Sequence, residues 1–371
     1  MNNSYSQALQ KIKEKNLYRQ LASVDIIGVN KVYKNQKNLI SFCSNDYFNL
    51  SQNAAVKKAA IAAIEKFGVG ATSSRYIIGN NSLYKKLEKQ IARLKNCDDA
   101  VVFSSGYAAA IGTVPALVNA GDLIIADRLS HSCLLDAAKL SDARLMRFLH
   151  NDFIHAKKIL TENRHKFKKC LIITETVFSM DGDVGEVSEL LKLADEFNCL
   201  LIADTAHDLF LSEDFGAKNR PNYLQMGTLS KAVGALGGYI AGEKNLIDYL
   251  RNFAKSQIYS TALPPAILAA SLASLKIIEK KNLGKKALQN ARYFCQLLNL
   301  PETKSAIVPI ILGDNKKVLQ IAKNLEMQGF LISAIRPPTV ENNKARLRIT
   351  FSSAHKKIQI KKLVKFLANV K

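Results

Sequence analysis

Short apolar runs alternate with amphipathic stretches through the middle third of the chain. The runs are Ala100-Val101-Val102-Phe103, Leu123-Ile124-Ile125-Ala126, Leu171-Ile172-Ile173-Thr174, Leu200-Leu201-Ile202-Ala203 and Tyr239-Ile240-Ala241. Each is too short for a helix and is continuous rather than alternating, which predicts strands covered on both faces, as in a parallel sheet. Between them lie helical stretches such as Leu190-Leu191-Lys192-Leu193-Ala194-Asp195-Glu196-Phe197. The expected fold class is therefore α/β, a mostly parallel central sheet flanked by helices. The first four runs end in Ser104-Ser105-Gly106, Asp127, Glu175 and Asp204. Ligands of open α/β sheets gather outside the carboxyl ends of strands, so these residues are the first candidates for chemistry.

Away from the middle the pattern changes. Residues 5–22 have the texture of a basic amphipathic helix. A strand pair is expected at Ile26 to Tyr33 and Leu39 to Cys43, with Asn35-Gln36-Lys37-Asn38 as its turn. After Pro264-Pro265 a long helical run through Leu275 gives way to strand-like segments at Ser305 to Leu312 and Ala345 to Phe351. The expected organisation is an N-terminal helix with short strands (1–45), a large domain (46–263) and a smaller α+β C-terminal domain (264–371).

Composition narrows the function classes. A chain of 371 residues, 48% hydrophobic and 23% charged, has the make-up of a soluble globular protein with a large core. No apolar stretch reaches the ~18 residues of a membrane span. The first residues lack the basic-then-apolar order of a secretory leader. The six cysteines are scattered without a C-x-x-C pair, which predicts reduced thiols in a cytoplasm and neither a disulfide framework nor a zinc site. No His/Cys/carboxylate cluster has metal-ligand spacing. The excess of 53 Lys+Arg over 31 Asp+Glu, formally +22, brings nucleic acid into consideration. The lysines, however, are spread through helical stretches such as Lys276 to Lys286 and Lys356 to Lys365, with no stripe of interleaved aromatics and no recognition motif. The charge is read as a solvated surface that also attracts anionic substrates, and no nucleic-acid or membrane partner is expected.

The chemistry concentrates around one pairing. Asp204 ends an apolar run, His207 follows three residues later, and Lys231 stands in Gly227-Thr228-Leu229-Ser230-Lys231. A carboxylate so placed can hold the protonated ring nitrogen of a pyridine, and a lysine in a small-residue loop can bond an aldehyde. Pyridoxal 5'-phosphate needs both. Alone, Asp204 would more often be a satisfied strand end and Lys231 a surface lysine; their spacing makes the case. Ser104-Ser105-Gly106-Tyr107 follows a strand and opens a helix, where N–H groups and the helix dipole attract a phosphate. Thr228 offers a further hydroxyl to that phosphate, while Tyr107 fits either there or in the core. His131, in Asp127-Arg128-Leu129-Ser130-His131, is placed to stack on a flat ring, and His207 to reach the ring's phenolic oxygen. Ser179 can touch the same oxygen, unless its segment is only a turn built on Asp181-Gly182.

These segments together resemble the α-oxoamine synthases, a family of fold-type I pyridoxal-phosphate transferases, from near residue 15 to the C-terminus. Further matching stretches are Ser44-Asn45-Asp46-Tyr47, Arg147-Phe148-Leu149-His150-Asn151-Asp152, Phe178 to Asp183, and Tyr259-Ser260-Thr261-Ala262-Leu263-Pro264-Pro265. Within that family, Ala334-Ile335-Arg336-Pro337-Pro338-Thr339-Val340 and Ala345 to Thr350 resemble the members that join L-alanine to a pimeloyl thioester. The resemblance implies Lys231 as the lysine that tethers the cofactor, Asp204 as the pyridinium partner and His131 as the stacked ring. It also implies that Gly106, Tyr107, Ser179, His207 and Thr228 hold the cofactor, with Thr261 reaching the phosphate of a neighbouring subunit in a homodimer. Arg19, His131 and Thr339 would contact substrate, with Arg348 or Arg336 pairing with a substrate carboxylate in the two-point fashion of a guanidinium. Pimeloyl-CoA and a pimeloyl carrier protein are both open as acyl donors.

The chain departs from the family's usual pattern at Thr205 and Asp208, where a second acid and a glycine are customary. It also departs at Phe48-Asn49, Asn80 and Tyr84. A sister synthase using glycine or serine, and a non-catalytic subunit of the same fold, stay open as alternatives on the residues alone.

Overall fold

A computed structural model of the protein describes residues 2–211 and 220–368. Met1, residues 369–371 and residues 212–219, which belong to the three expected segments, lie outside the described residues. The chain divides into two compact units: a larger one of Leu50–Ser179 with Asp183–Leu283, and a smaller one of Met1–Asn49, Met180–Gly182 and Gly284–Lys371.

The larger unit is built on seven strands: β4 (Asp99–Phe103), β5 (Leu123–Asp127), β6 (Arg144–Phe148), β7 (Cys170–Glu175), β8 (Leu200–Asp204), β9 (Tyr223–Thr228) and β10 (Gly238–Gly242). The sheet order is β4-β10-β9-β8-β7-β5-β6. All neighbours are parallel except β10, which runs antiparallel to both β4 and β9. The five apolar runs became β4, β5, β7, β8 and β10. Every residue of β5 and β7 is buried, as expected for strands covered on both faces. Two strands have no such run. β6 (Arg-Leu-Met-Arg-Phe) lies at the sheet edge and keeps its arginines, and Gln225 and Gly227 break the apolar pattern of β9. Helices Gly106–Leu117, Ser132–Leu140 and Lys244–Phe253 seal one face, where Val101, Phe103, Ile124, Ile173, Ile202 and Met226 form a continuous core with Val114, Leu134 and Ile247. The helix Pro265–Lys280 packs on the helices Ala54–Phe67 and Leu83–Leu94.

The smaller unit holds two sheets. One contains β1 (Asp25–Gly28), β2 (Lys31–Lys34), β3 (Lys37–Ser41) and β12 (Phe330–Leu331); the other orders β11 (Ile307–Gly313), β14 (Ala345–Thr350) and β13 (Ser333–Ile335). The single strand expected at Ile26 to Tyr33 is split, because Asn30 takes a left-handed φ of 54° and turns the chain between β1 and β2. Asn35 and Gln36, with φ of 49° and 59°, form the two-residue hairpin loop, whose paired left-handed residues match strand twist. The N-terminal helix is shorter than its amphipathic pattern. It runs Asn2–Glu14, and Asn16 at φ 54° terminates it. No helix among the described residues is long and apolar enough to cross a membrane.

The core of this unit gathers Phe42, Phe294, Phe351 and Leu347 around a buried histidine. The His355 ring stacks on Phe42 with centroids 4.1 Å apart. Its Nδ1 accepts the Ser352 N–H at 2.9 Å, so the neutral ring carries its proton on Nε2, which donates to the Ser41 carbonyl at 2.9 Å. Burial lowers its pKa from 6.5 to about 4, against a small upward pull from the Ser41 carbonyl. The unfolded chain therefore takes up this proton before the folded one does. The stabilisation is complete above about pH 6.5 and is lost as pH falls toward 4, on the order of 3 kcal/mol in all. Urea unfolding between pH 7 and 4 will show this slope, and His355→Gln will flatten it.

Candidate active site

The carboxyl ends of the strands converge on a cavity of about 220 Å³ in the larger unit, lined by Ser105, Gly106, Tyr107, His131, Cys133, Asp204, Ala206, Met226, Gly227, Thr228, Ser230 and Lys231. Each lining group arrives through local backbone chemistry. Ser105 caps the helix Gly106–Leu117, its Oγ accepting the Ala108 N–H at 3.0 Å, and so leaves the positive helix end facing the cavity. Thr228, at the end of β9, is held by its Oγ1, which donates to the Gly237 carbonyl at 2.9 Å and lies 2.7 Å from Ser230 Oγ. Lys231 follows in the same loop, and its Nζ lies 2.8 Å from His207 Nε2.

His131 caps the helix Ser132–Leu140. Its Nδ1 accepts the Cys133 N–H at 3.2 Å, which leaves the proton of the neutral ring on Nε2. Burial lowers its pKa, with the Lys231 charge acting in the same direction and Asp204 opposing. Asp204 is 6% exposed and accepts the Ala206 N–H at 2.9 Å. Burial raises its pKa, while Lys231 and the Ala206 N–H pull it back. Beside it in register on β7 stands Glu175, buried, with Oε1 lacking a hydrogen-bond partner. Burial and the Asp204 charge hold the Glu175 pKa well above the carboxylate range.

The loop that carries His131 is pinned from behind. Asp127, wholly buried, accepts the Leu129 and Asn151 N–H groups at 2.8 Å each. His150 bridges it to Asp183, with Nδ1 3.0 Å from Asp127 Oδ1 and Nε2 2.7 Å from Asp183 Oδ2. Burial alone would lower the His150 pKa, but the two carboxylates outweigh it and raise it to about 10, so the bridge is ionic at neutral pH.

Of the residues singled out in the sequence, Gly106, Tyr107, His131, Asp204, Thr228 and Lys231 meet at this cavity, and His207 joins them through Lys231. Tyr107 is no core aromatic: it is half exposed, and its hydroxyl donates to Asp136 at 3.0 Å. Ser179 and Thr261 belong to the same unit but do not line the cavity. Thr261 forms an isolated bridge with Ser74. Asp181-Gly182 does form a turn, with Gly182 at φ 73° and no room for a Cβ against the Ile307 carbonyl.

The remaining candidates lie in the smaller unit. Arg19 Nη2 donates to Thr339 Oγ1 at 2.9 Å, and Arg336 donates to the Asn16 carbonyl. Burial, followed by the neighbouring Arg19 charge, lowers the Arg336 pKa, so the two guanidiniums lie close together. Arg348 is buried and donates to Asn45 Oδ1 at 3.1 Å, and Arg346 is buried in an ion pair with Asp181. Sequence reasoning gave no role to Cys133 or Ser230, and it named Glu175 among the strand-end candidates without assigning it one. Only Glu175 carried a signal, an acid at the end of an apolar run.

Residues 37–367 match the family model described as aminotransferase class I and II. A protein of Methylocella silvestris named 8-amino-7-oxononanoate synthase is 44% identical over 87% of this chain and 94% of its own length. One of the same name from Methylobacterium nodulans is 42% identical over 95% and 93%. Among solved structures, 8-amino-7-oxononanoate synthase from Francisella tularensis superposes with a TM-score of 0.75 at 28% identity, covering 89% of this chain and 97% of that one. Sphingomonas wittichii serine palmitoyltransferase reaches a TM-score of 0.91 over 99% and 96%, at 23% identity, and so speaks for the fold alone. The chain belongs to the aminotransferase class I and II family, among its 8-amino-7-oxononanoate synthases, and has their fold-type I architecture.

The donor set fits pyridoxal 5'-phosphate. An amine, a buried carboxylate, a planar imidazole and a helix N-terminus flanked by hydroxyls share one cavity. Two glycines beside the Gly106 helix N-terminus differ in tolerance. A Cβ on Gly238 would lie 2.4 Å from the Ser105 carbonyl oxygen and 2.6 Å from Gly106 Cα, whereas a Cβ on Gly106 would make ordinary contact with Thr228 at 3.6 Å. Gly238→Ala is expected to lose about 1–3 kcal/mol of stability and to bind the cofactor more weakly. Gly106→Ala will lose less of both. Urea midpoints and cofactor titration of the two variants will measure the difference.

Proposed function

We propose that the protein catalyses the decarboxylative condensation of L-alanine with a pimeloyl thioester, giving 8-amino-7-oxononanoate, CO2 and free thiol in biotin synthesis. The observation that carries this reading is the convergence of Lys231, Asp204 and His131 on one cavity in a chain 44% identical to a protein named for that product. When bound, pyridoxal 5'-phosphate supplies an aldehyde carbon that bonds an amine and a protonated ring that accepts an electron pair.

The protein's own groups do the rest. Lys231 would hold the cofactor through Nζ and its amine would move the proton at the substrate Cα, with His207 orienting that Nζ. Asp204 keeps a proton on the ring nitrogen, because a buried carboxylate gains most from a cation at contact distance. His131 covers the ring and presents Nε2–H to the substrate. The Gly106 helix end, Tyr107 and Thr228 take the phosphate, and Ser179 and His207 take the phenolic oxygen. Arg19 and Thr339 contact substrate, and Arg336 or Arg348 pairs with a substrate carboxylate. The crowding of Arg19 and Arg336, which an anion between them relieves, favours Arg336.

The protein acts as a homodimer in which Thr261 reaches the partner's phosphate. This is supported by Val69, Ile77, Ile78 and Tyr259, all between 74% and 80% exposed near the Ser74–Thr261 bridge. Six free cysteines support a cytoplasmic setting.

The test incubates the purified protein with pyridoxal 5'-phosphate, L-alanine and pimeloyl-CoA, following the visible band of the bound cofactor together with CO2. Lys231→Ala is expected to lose the lysine-bound band and to lower turnover by about a thousandfold or more, and Asp204→Asn to slow exchange of the alanine Cα proton at least about a hundredfold. Preference for glycine or serine over alanine in a substrate panel would replace this reading with a sister synthase, and a colourless, inactive protein would make it a non-catalytic subunit.

A further inference from the structure

We propose that Lys95, Asp208 and Tyr239 are positioning residues, a buried ion-paired clamp that sets His207 against the Lys231 amine. The inference rests on the reading of Lys231 and His207 given above. Asp208 directly follows His207. Its Oδ2 accepts from Lys95 Nζ at 2.7 Å, and its Oδ1 accepts the Phe210 N–H at 2.9 Å. Both charged side chains are only 4% exposed. Thr205, on the other side of Ala206-His207, donates through Oγ1 to the Met226 carbonyl at 2.9 Å and lies 3.4 Å from the Tyr239 hydroxyl. That hydroxyl also bears on the ionisation of Lys95, raising its pKa. The residues flanking Ala206-His207 are thus tied to one buried polar cluster. The cluster also reaches the lysine loop, because the Tyr239 ring lies where a Cβ on Gly227 would stand, 2.3 Å away.

Lys95 is fixed at its own end. It follows the helix Leu83–Leu94, bonds back to the Ile91 carbonyl, and its own carbonyl accepts from Gln225 Nε2 at 2.8 Å. Its ammonium lies 4.9 Å from the centre of the Phe210 ring. The turn it secures needs securing, since Leu209 and Phe210 both sit at φ 55°, a region that bulky side chains disfavour. Burial alone would lower the Lys95 pKa, but Asp208 and Tyr239 together raise it, so the ammonium stays charged at neutral pH. A buried ion pair adds little stability over an apolar pair of the same volume, whereas removing one partner alone is strongly unfavourable. What the pair contributes is therefore a fixed place for the chain between Thr205 and Asp208.

The decisive variant is Lys95→Met with Asp208→Leu, which removes both charges at once; Tyr239→Phe takes one hydroxyl from the same cluster with little risk to folding. Two readouts are measured beside the unfolding midpoint. One is the rate at which the cofactor-free protein captures pyridoxal 5'-phosphate on Lys231, and the other is kcat and KM for alanine in the loaded enzyme. The double variant is expected to unfold near the parental midpoint, to capture the cofactor about tenfold more slowly and to lose about tenfold in kcat with KM little changed. Tyr239→Phe should move both in the same direction by less. A folded double variant with parental capture rate and kcat overturns the clamp; if the double variant does not fold, a Tyr239→Phe protein with parental values overturns it. A parental protein that captures no cofactor sinks the reading of Lys231 instead, so the two failures are told apart.

Discussion

The site is organised around a carboxylate placed where there is almost no water. Asp204 ends β8 nearly buried, with Glu175 in register on the next strand. Two carboxylates so placed do not both ionise readily. Burial and its neighbour hold the Glu175 pKa well above the carboxylate range. Burial raises the Asp204 pKa as well, while Lys231 and the Ala206 N–H pull it back. A cation at contact distance is the kind of partner that favours the ionised form of such a carboxylate.

The rest of the larger unit delivers side chains to that carboxylate with little freedom. The doubly covered strands β7 and β8 bring Glu175 and Asp204 to one level, and Asp127 ends β5 one residue short of it. Behind them the ionic bridge of Asp127, His150 and Asp183 fixes the loop before His131, so the imidazole is aimed by backbone that it does not itself hold. The order runs from sheet register to loop anchoring to ring tautomer, and each level narrows the one above it.

Much of this was legible in the sequence because the signals were local. Five apolar runs marked five of the seven strands, and the acids ending them stood at the rim. The strands that escaped notice are informative in themselves. β6 keeps charges because a sheet edge meets solvent, and β9 spends two of its positions on Gln225 and Gly227, whose reasons lie elsewhere in the fold: Gln225 bonds the Lys95 carbonyl, and Gly227 clears the Tyr239 ring. The helix expected over residues 5–22 was overextended because amphipathic periodicity continued past Asn16, whose left-handed backbone ends the real one. Lys95 and Asp208 were beyond reach for a different reason. They are 113 positions apart, and nothing local to either residue announces the other.

The reversed direction of β10 has a consequence for how such a site can diversify. Parallel strands present their last residues to the ligand, and a single substitution there exchanges one chemistry for another. β10 presents its first residue, Gly238, and the Ser105 carbonyl leaves no space for anything larger. That stretch of the rim is closed to innovation by point mutation. Novelty there has to arrive through the preceding loop, where Gly234 and Gly237, both at positive φ, leave conformation rather than side-chain identity as the variable.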